Sequence, residues 1–381
     1  MKGRSKKRLI AFLIAGILGC QITACTPVTE EEISQIEQEN YQAEAGQAEV
    51  EQISTENYAY QSLSQEERQV YDEILSVILN HQEKIMLSCT DEEVMRKAYT
   101  AVLADYGGLF WIEGYVFTKY TKGEEVLGLE FAPNYIMTEE ERQQTQQQID
   151  SVVDEWLAGI SITDTDYDKV KYIYNLLSTK VSYVEGVENS QNIISVFLNG
   201  QSVCQGYACA VQYLMEQLGI ECVLVSGTAL GEAHAWNLFQ MDDEYYYMDA
   251  TWGRGRYLEG ETEKFFVDYK YMTMTTEEML RSHIPGEELI LPECTEAENN
   301  YYIQEGKYIR EWKPEELGQY ISLAYAEKEI LTLRFADKGL YTKARNYFIE
   351  EGNIVNYCQD IEKISYMEDE TWLEISFCFL E

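Results

Sequence analysis

The sequence predicts an α+β fold in which a helix bearing a cysteine packs on an antiparallel sheet bearing a histidine and an aspartate. Three observations predict it. Tyr207, Val211, Leu214 and Leu218 recur at helical spacing, and Gly219 stands where a helix ends in the left-handed conformation. Three β-rich runs follow: Cys222–Gly227, Glu232–Phe239 and Glu244–Trp252. Asp242-Asp243, between the last two, reads as a tight hairpin turn. An α-rich lead-in precedes this core and a small α+β domain follows it.

The helix starts at Cys204, just after Gln-Ser-Val. A thiol at a helix N-terminus feels the positive end of the dipole, which favours the nucleophilic thiolate. The hairpin makes a geometric claim. With a two-residue turn, Met241 faces Glu244 and Trp236 faces Asp249. His234 then lies on the same face, one diagonal from Asp249, about 7–8 Å away at the backbone and within side-chain reach. A two-residue slip would place His234 directly opposite Asp249. Either register keeps both on one face, because the strand period is two. An imidazole beside a thiolate can hold it as an ion pair and protonate a leaving group. A carboxylate on the other ring nitrogen fixes tautomer and orientation.

Val-Cys-Gln-Gly-Tyr-Ala (203–208), His-Ala-Trp-Asn (234–237) and Met-Asp-Ala-Thr-Trp (248–252) together resemble the transglutaminase-like superfamily, cysteine enzymes on a papain-like fold. The family's third motif usually has Pro where this chain has Ala250. The resemblance covers about residues 145–285. It implies that Cys204 is the nucleophile, His234 the base and Asp249 the orienting acid. Trp236 and Trp252 are candidates for shielding the site from water, or equally plain core aromatics. The oxyanion hole would use the Cys204 backbone N–H and one further donor, with Gln201, Asn199 and Tyr183 as alternatives. Cys209, Cys222, His81 and His283 read as structural residues.

Residues 1–24 read as a lipoprotein signal peptide. Lys2, Arg4, Lys6, Lys7 and Arg8 precede the apolar run Leu9–Leu18, which is too short to span a bilayer. Cys25, after Ile-Thr-Ala, resembles a lipobox cysteine, with Cys20 as the alternative lipidation site. Residues 25–57 are Glu- and Gln-rich and read as a disordered acidic tether.

The net charge is −38. Removing the five signal-region cations leaves about −43, which argues against nucleic acid and anionic membrane as electrostatic partners. The only membrane contact expected is through an N-terminal lipid. Three histidines and no HExxH or CxxC pair give no zinc site, and no EF-hand, P-loop or dinucleotide motif occurs, so neither metal nor cofactor is expected. The cysteines are widely scattered, and spacing selects no disulfide among Cys294, Cys358 and Cys378.

Residues 58–145 form the α-rich lead-in with a strand pair. Ser64–Glu67, Thr90–Glu93 and Thr138–Glu141 each match a capping box ahead of helical apolar spacing. Leu109–Phe117 and Val126–Phe131 read as the strand pair. The catalytic domain is expected over 146–290. It takes in a helix around Val170–Leu177 and a loop from Tyr183 to Ser190. A short helix is expected over 192–199, loop and short helix over 253–290, and a compact basic spot at Arg254 and Arg256. Residues 298–381 form the C-terminal α+β domain. Its expected helices are Pro314–Ala324 and Thr342–Ile349, and Leu331–Phe335 and Trp372–Phe379 are its strands.

The expectation is an extracytoplasmic thiol enzyme, lipid-anchored to the outer face of a bacterial cytoplasmic membrane. It would transfer acyl groups from amide bonds through a thioester. Hydrolysis of peptide-like bonds, as a peptidase or deamidase, ranks ahead of protein cross-linking. Its substrates would be proteins or peptides, cell-wall peptide among them. The competing class is a non-catalytic surface module that binds such peptides on the same fold.

Overall fold

The computed structural model describes residues 23–27, 57–122, 124–259, 262–358 and 365–379. The signal peptide and the acidic tether lie outside the described residues, apart from the backbone of 23–27 and residue 57. No helix among the described residues is long and apolar enough to cross a membrane.

After the short helical turn Tyr58–Gln61, the lead-in runs through α1 (Gln65–Leu79) and α2 (Glu92–Asp105). Ser64 and Glu67 close a reciprocal capping box on α1. The expected box at Thr90 does not form. Asp91 caps α2 instead, its carboxylate accepting the Glu93 N–H at 2.7 Å, because an ionised acceptor suits the positive helix end better than a hydroxyl. Strands β1 (Ile112–Lys122) and β2 (Glu125–Tyr135) pair antiparallel, with Thr23–Pro27 lying parallel to β1. Helices α3 (Glu139–Leu157) and α4 (Asp166–Lys180) carry capping boxes at Thr138 and Thr165 and lead into the core.

The strand Ser182–Tyr183 runs parallel to Gln201–Ser202, where a loop had been expected to start. Between them Ser195–Asn199 forms a π-helical turn. Gly200, at φ 64°, then turns the chain toward α5 (Cys204–Gln217). This helix is buried on nearly all sides, with Ala210, Val211, Leu214 and Met215 fully enclosed. Each fully buried aliphatic side chain stabilises the fold by about 1.5–3 kcal/mol. Gly219, at φ 73°, ends α5 in a Schellman motif: Ile220 N–H reaches Met215 O at 3.0 Å and Gly219 N–H reaches Glu216 O at 3.1 Å.

α5 packs on a four-stranded antiparallel sheet. Its strands are β3 (Cys222–Ala229), β4 (Glu232–Met241), β5 (Glu244–Met248) and, at the opposite edge beyond β3, His283–Pro285. Asp242 and Asp243 have φ 53° and 65°, the two left-handed residues that a tight hairpin needs, and Met241 pairs with Glu244. The lead-in closes the other side of α5. Gln212 Nε2 donates to Ala104 O and to Cys222 O, each at 2.9 Å, and a Cβ on Gly107 would stand 2.7 Å from Cys209 O. One apolar cluster therefore runs from Ala59 through the lead-in, α5 and the sheet to Tyr302, and includes Trp372.

Residues 253–290 hold more strand than expected. Arg254–Glu259 and Thr262–Val267 form an antiparallel ribbon. Its apolar run Phe265-Phe266-Val267 is too short and continuous to show a period of two. The C-terminal residues build a second core around Leu333, Phe348, Ile375 and Phe377. Its second helix, Lys338–Arg345, starts earlier than expected because Asp337 caps it at Leu340 N–H, 2.9 Å.

This second core is fastened to the first by buried charge. Arg334 bonds Glu374 at 2.7 Å and Glu278 at 2.8 Å while its guanidinium lies over Tyr302 and Trp372. Lys270 reaches Asp369 at 2.9 Å and Asp268 at 3.4 Å.

Candidate active site

The site forms where the start of α5 meets the sheet. Asn237 Nδ2 donates to Ala208 O at 3.0 Å, which ties the strand carrying His234 to the helix carrying Cys204. Cys204 is the first residue of α5, is only partly buried, and has Val203 as an N-cap that offers no side-chain acceptor. A carbonyl within the loop takes the Val203 N–H, and Val203 O takes the Tyr207 N–H at 3.1 Å. The early α5 amides between them are those that a helix start leaves without intrahelical partners. Gly206 is required here: a Cβ would stand 2.1 Å from Ser202 Oγ and 2.7 Å from Ser190 O.

His234 and Asp249 meet directly, Nε2 to Oδ2, at 2.9 Å. Asp249 sits one residue past β5, where its Oδ1 accepts the Thr251 N–H at 2.9 Å and caps the turn Ala250–Trp252. Its own N–H donates to Tyr271 O at 2.9 Å. Burial resists ionisation of Asp249, but the His234 charge and the hydrogen bonds from His234 and His283 overcome it, holding the carboxyl well below its ordinary range. Burial likewise resists charging of His234. The Asp249 carboxylate, then Cys204, outweigh it and raise His234 to about 10. With Nε2 engaged by Asp249, Nδ1 is the ring nitrogen left for Cys204.

His283 is a correction to the sequence reading. It is fully buried at the edge strand, and its Nε2 lies 3.2 Å from the same Asp249 Oδ2. Its Nδ1 is 2.9 Å from Ser282 Oγ. A carboxylate only accepts, so both imidazoles present N–H to it. No motif spacing could have found His283. It follows Asp249 by a long stretch and reaches it only because the edge strand pairs with β3, His283 opposite Ala229. His81 lies away from the site, stacked on Tyr135 with ring centroids 3.9 Å apart.

Trp236 is buried. Its ring centroid lies 6.2 Å from that of His234 and 4.9 Å from that of His283. The Trp252 ring lies 5.3 Å from His234 and 4.7 Å from His283. Both rings thus pack against the two imidazoles that meet Asp249. Of the alternatives for an oxyanion donor, Tyr183 is half-exposed. Burial and the neighbouring Cys204 charge push its phenol up to about 12. Cys209 and Cys222 are buried, and burial pushes both thiols up, Cys209 to about 12.

His234, Asp249 and His283 offer three potential ligand atoms within 4.8 Å of one another. Both Nε2 atoms aim at one oxygen, which is the geometry of two donors sharing an acceptor. Binding an ion there would require both nitrogens to lose their protons.

Residues 155–250 match the model of the transglutaminase-like superfamily. The search of curated proteins gave no match. Among solved structures, a TGase is similar over 42% of this chain and 48% of its own, at 13% identity and TM-score 0.27. A candidate cysteine protease from Cytophaga hutchinsonii is similar over 33% of this chain and 51% of its own, at 17% identity and TM-score 0.25. An arylamine N-acetyltransferase from Bacillus cereus, described with a Cys-His-Glu triad, is similar over 44% and 76% respectively, at 14% identity and TM-score 0.23. The chain thus spans about half the length of the first two, and all three likenesses are distant. The family match itself encloses Cys204, His234 and Asp249, so residues 155–250 are similar to a transglutaminase-like domain.

Proposed function

We propose that the protein is a thiol enzyme that breaks amide bonds through a thioester, with Cys204 as nucleophile. The observation that carries this is the 2.9 Å contact between His234 Nε2 and Asp249 Oδ2, which leaves Nδ1 for the thiol at the start of α5. The Cys204 thiolate attacks the amide carbon, and the carbonyl oxygen takes up the negative charge facing the Cys204 backbone N–H. His234 gives its Nδ1 proton to the nitrogen as the C–N bond breaks, and the amine leaves. Water then attacks the thioester while His234 takes its proton. The C–S bond breaks, releasing a carboxylic acid and restoring the thiolate. The net reaction is amide plus water to acid plus amine; an amine in place of water gives a new amide.

Hydrolysis of peptide-like bonds is the preferred reading. The basic and apolar N-terminus with Cys25 (or Cys20) supports lipid anchoring on the outer face of a bacterial membrane, where cell-wall and surface peptides are at hand. The strongly acidic composition is in keeping with a solvated extracellular surface.

The test is a screen of peptides and amines with wild-type protein and Cys204→Ala, folding being checked by circular dichroism. Turnover that disappears in Cys204→Ala supports the enzyme. Equal turnover in a folded Cys204→Ala removes it, and peptide binding without turnover by either protein would mark a binding module. A fatty-acid analogue should label the protein in its host, and Cys25→Ser should abolish the label. Label lost only in Cys20→Ser moves the anchor to Cys20.

A further inference from the structure

Arg254 opens the ribbon that follows the Asp249 turn, and it pairs in register with Val267. Its Nη1 donates to Val181 O at 3.4 Å, just before the strand that carries Tyr183. Arg254 therefore spans from the segment holding Asp249 to the segment leading to Cys204. Its guanidinium lies 4.1 Å from the ring centroid of Phe265, an exposed aromatic on the facing strand. The contact with Phe265 and the one bond to Val181 O leave most of its five N–H donors without an acceptor among the described residues.

The chain holds 67 acidic residues against 29 lysines and arginines. Its neighbour Arg256 is paired with Glu263 at 3.3 Å. Arg254, among the described residues, has no carboxylate partner. It is half-buried near Tyr207, one turn along α5 from Cys204, where its charge opposes the rise that burial imposes on the phenol. A cation left without an anion, in so acidic a chain and tied to the strand that pairs with Gln201–Ser202 just ahead of Cys204, suits an anion that arrives with the substrate.

We propose that Arg254 is the anion-binding residue of the Cys204 cleft, and that the substrate carries a carboxylate next to the amide under attack. This rests on the thiol-enzyme reading above and names its substrate class as acidic, peptide-like amides. The guanidinium holds the carboxylate and so sets which amide of a chain lies over Cys204. A lysine would keep the charge and lose the planar fork.

The test compares two reagents on the full chain. Iodoacetamide is neutral and reads the reactivity of the Cys204 thiolate. Iodoacetate is an anion and reads the same reactivity together with the local potential. In Arg254→Gln the ratio of iodoacetate to iodoacetamide rates at Cys204 should fall roughly twofold to fivefold, the scale of a partly exposed ion pair. Arg254→Lys should keep most of the wild-type ratio. An unchanged ratio in folded Arg254→Gln overturns the proposal and leaves Arg254 as a strand tie. If that variant does not fold, Arg254→Met, which keeps an unbranched stem on Phe265, is read in the same way. Slow iodoacetamide labelling of Cys204 in wild type is a different result, because it counts against the thiol enzyme itself.

Discussion

His283 and His234 share one oxygen of Asp249: their Nε2 atoms lie 3.2 Å and 2.9 Å from Oδ2. The carboxylate has almost no contact with solvent, so its charge depends on these donors and on the Thr251 N–H. Replacing His283 by leucine should leave an anion short of a donor and cost about 1–3 kcal/mol of stability, with reduced turnover. His283→Gln can still donate from its amide and should recover much of both. Urea unfolding and turnover of any substrate hit check this. A His283→Leu variant as stable and active as wild type would show that the third donor is idle.

Stability should carry a signature of the His234–Asp249 pair. His234 is raised from 6.5 to about 10 in the fold, so its contribution is complete below about pH 6.5 and is lost as pH climbs through 10. Asp249 is lowered from 3.8, so its contribution is present above that value and is lost as pH falls toward the lower folded value. Urea unfolding of wild type should therefore weaken between pH 6.5 and 10. Asp249→Asn should flatten this slope, and an equally steep slope in that variant would assign the loss to other groups.

One thiol should stand apart. Burial pushes Cys89, Cys294 and Cys358 up to about 11 and Cys209 to about 12, and it raises Cys222 well above its ordinary value. At neutral pH the alkylation rate follows the thiolate fraction and access. Iodoacetamide should thus label Cys204 at least roughly tenfold faster than Cys89, Cys209, Cys222, Cys294 or Cys358. Mass spectrometry of peptides reads this directly. Loss of the fast phase in Cys204→Ala is expected, and its persistence there would place the reactive thiol elsewhere.

Gly227 lies opposite both His234 and Pro285, between the two histidine strands. A Cβ there would stand 2.2 Å from Ile284 O and 2.8 Å from the Trp236 ring. Gly227→Ala should push the edge strand outward and cost about 1–3 kcal/mol, as overpacking does. Because His283 rides on that strand, turnover should fall further than for a glycine-to-alanine change at exposed Gly339. Thermal melting and turnover measured together distinguish this from simple loss of fold.

Much of the site was legible because its parts are local. The period of two in the strands and the pair Asp242-Asp243 sufficed to put His234 and Asp249 on one face. The dipole argument needed only a cysteine before a helical apolar pattern. His283 was not legible as a partner of Asp249, since strand pairing brings it there from a distant segment. The expected cap at Thr90 failed for a reason of chemistry: Asp91 competes for the same amides. The Arg254–Val267 ribbon was missed because Phe265, Phe266 and Val267 form a short continuous apolar run without the alternation that marks a strand.

The charge network around Arg334 has a mechanical consequence. Buried ion pairs add little to stability relative to well-packed apolar groups, yet breaking one costs about 3–5 kcal/mol. Swinging the C-terminal unit away would separate Arg334 from Glu278 and Lys270 from Asp369 and Glu374 at once. Such a hinge would open rarely, so these ion pairs hold the C-terminal unit fixed against the residues that carry Glu278 and Lys270.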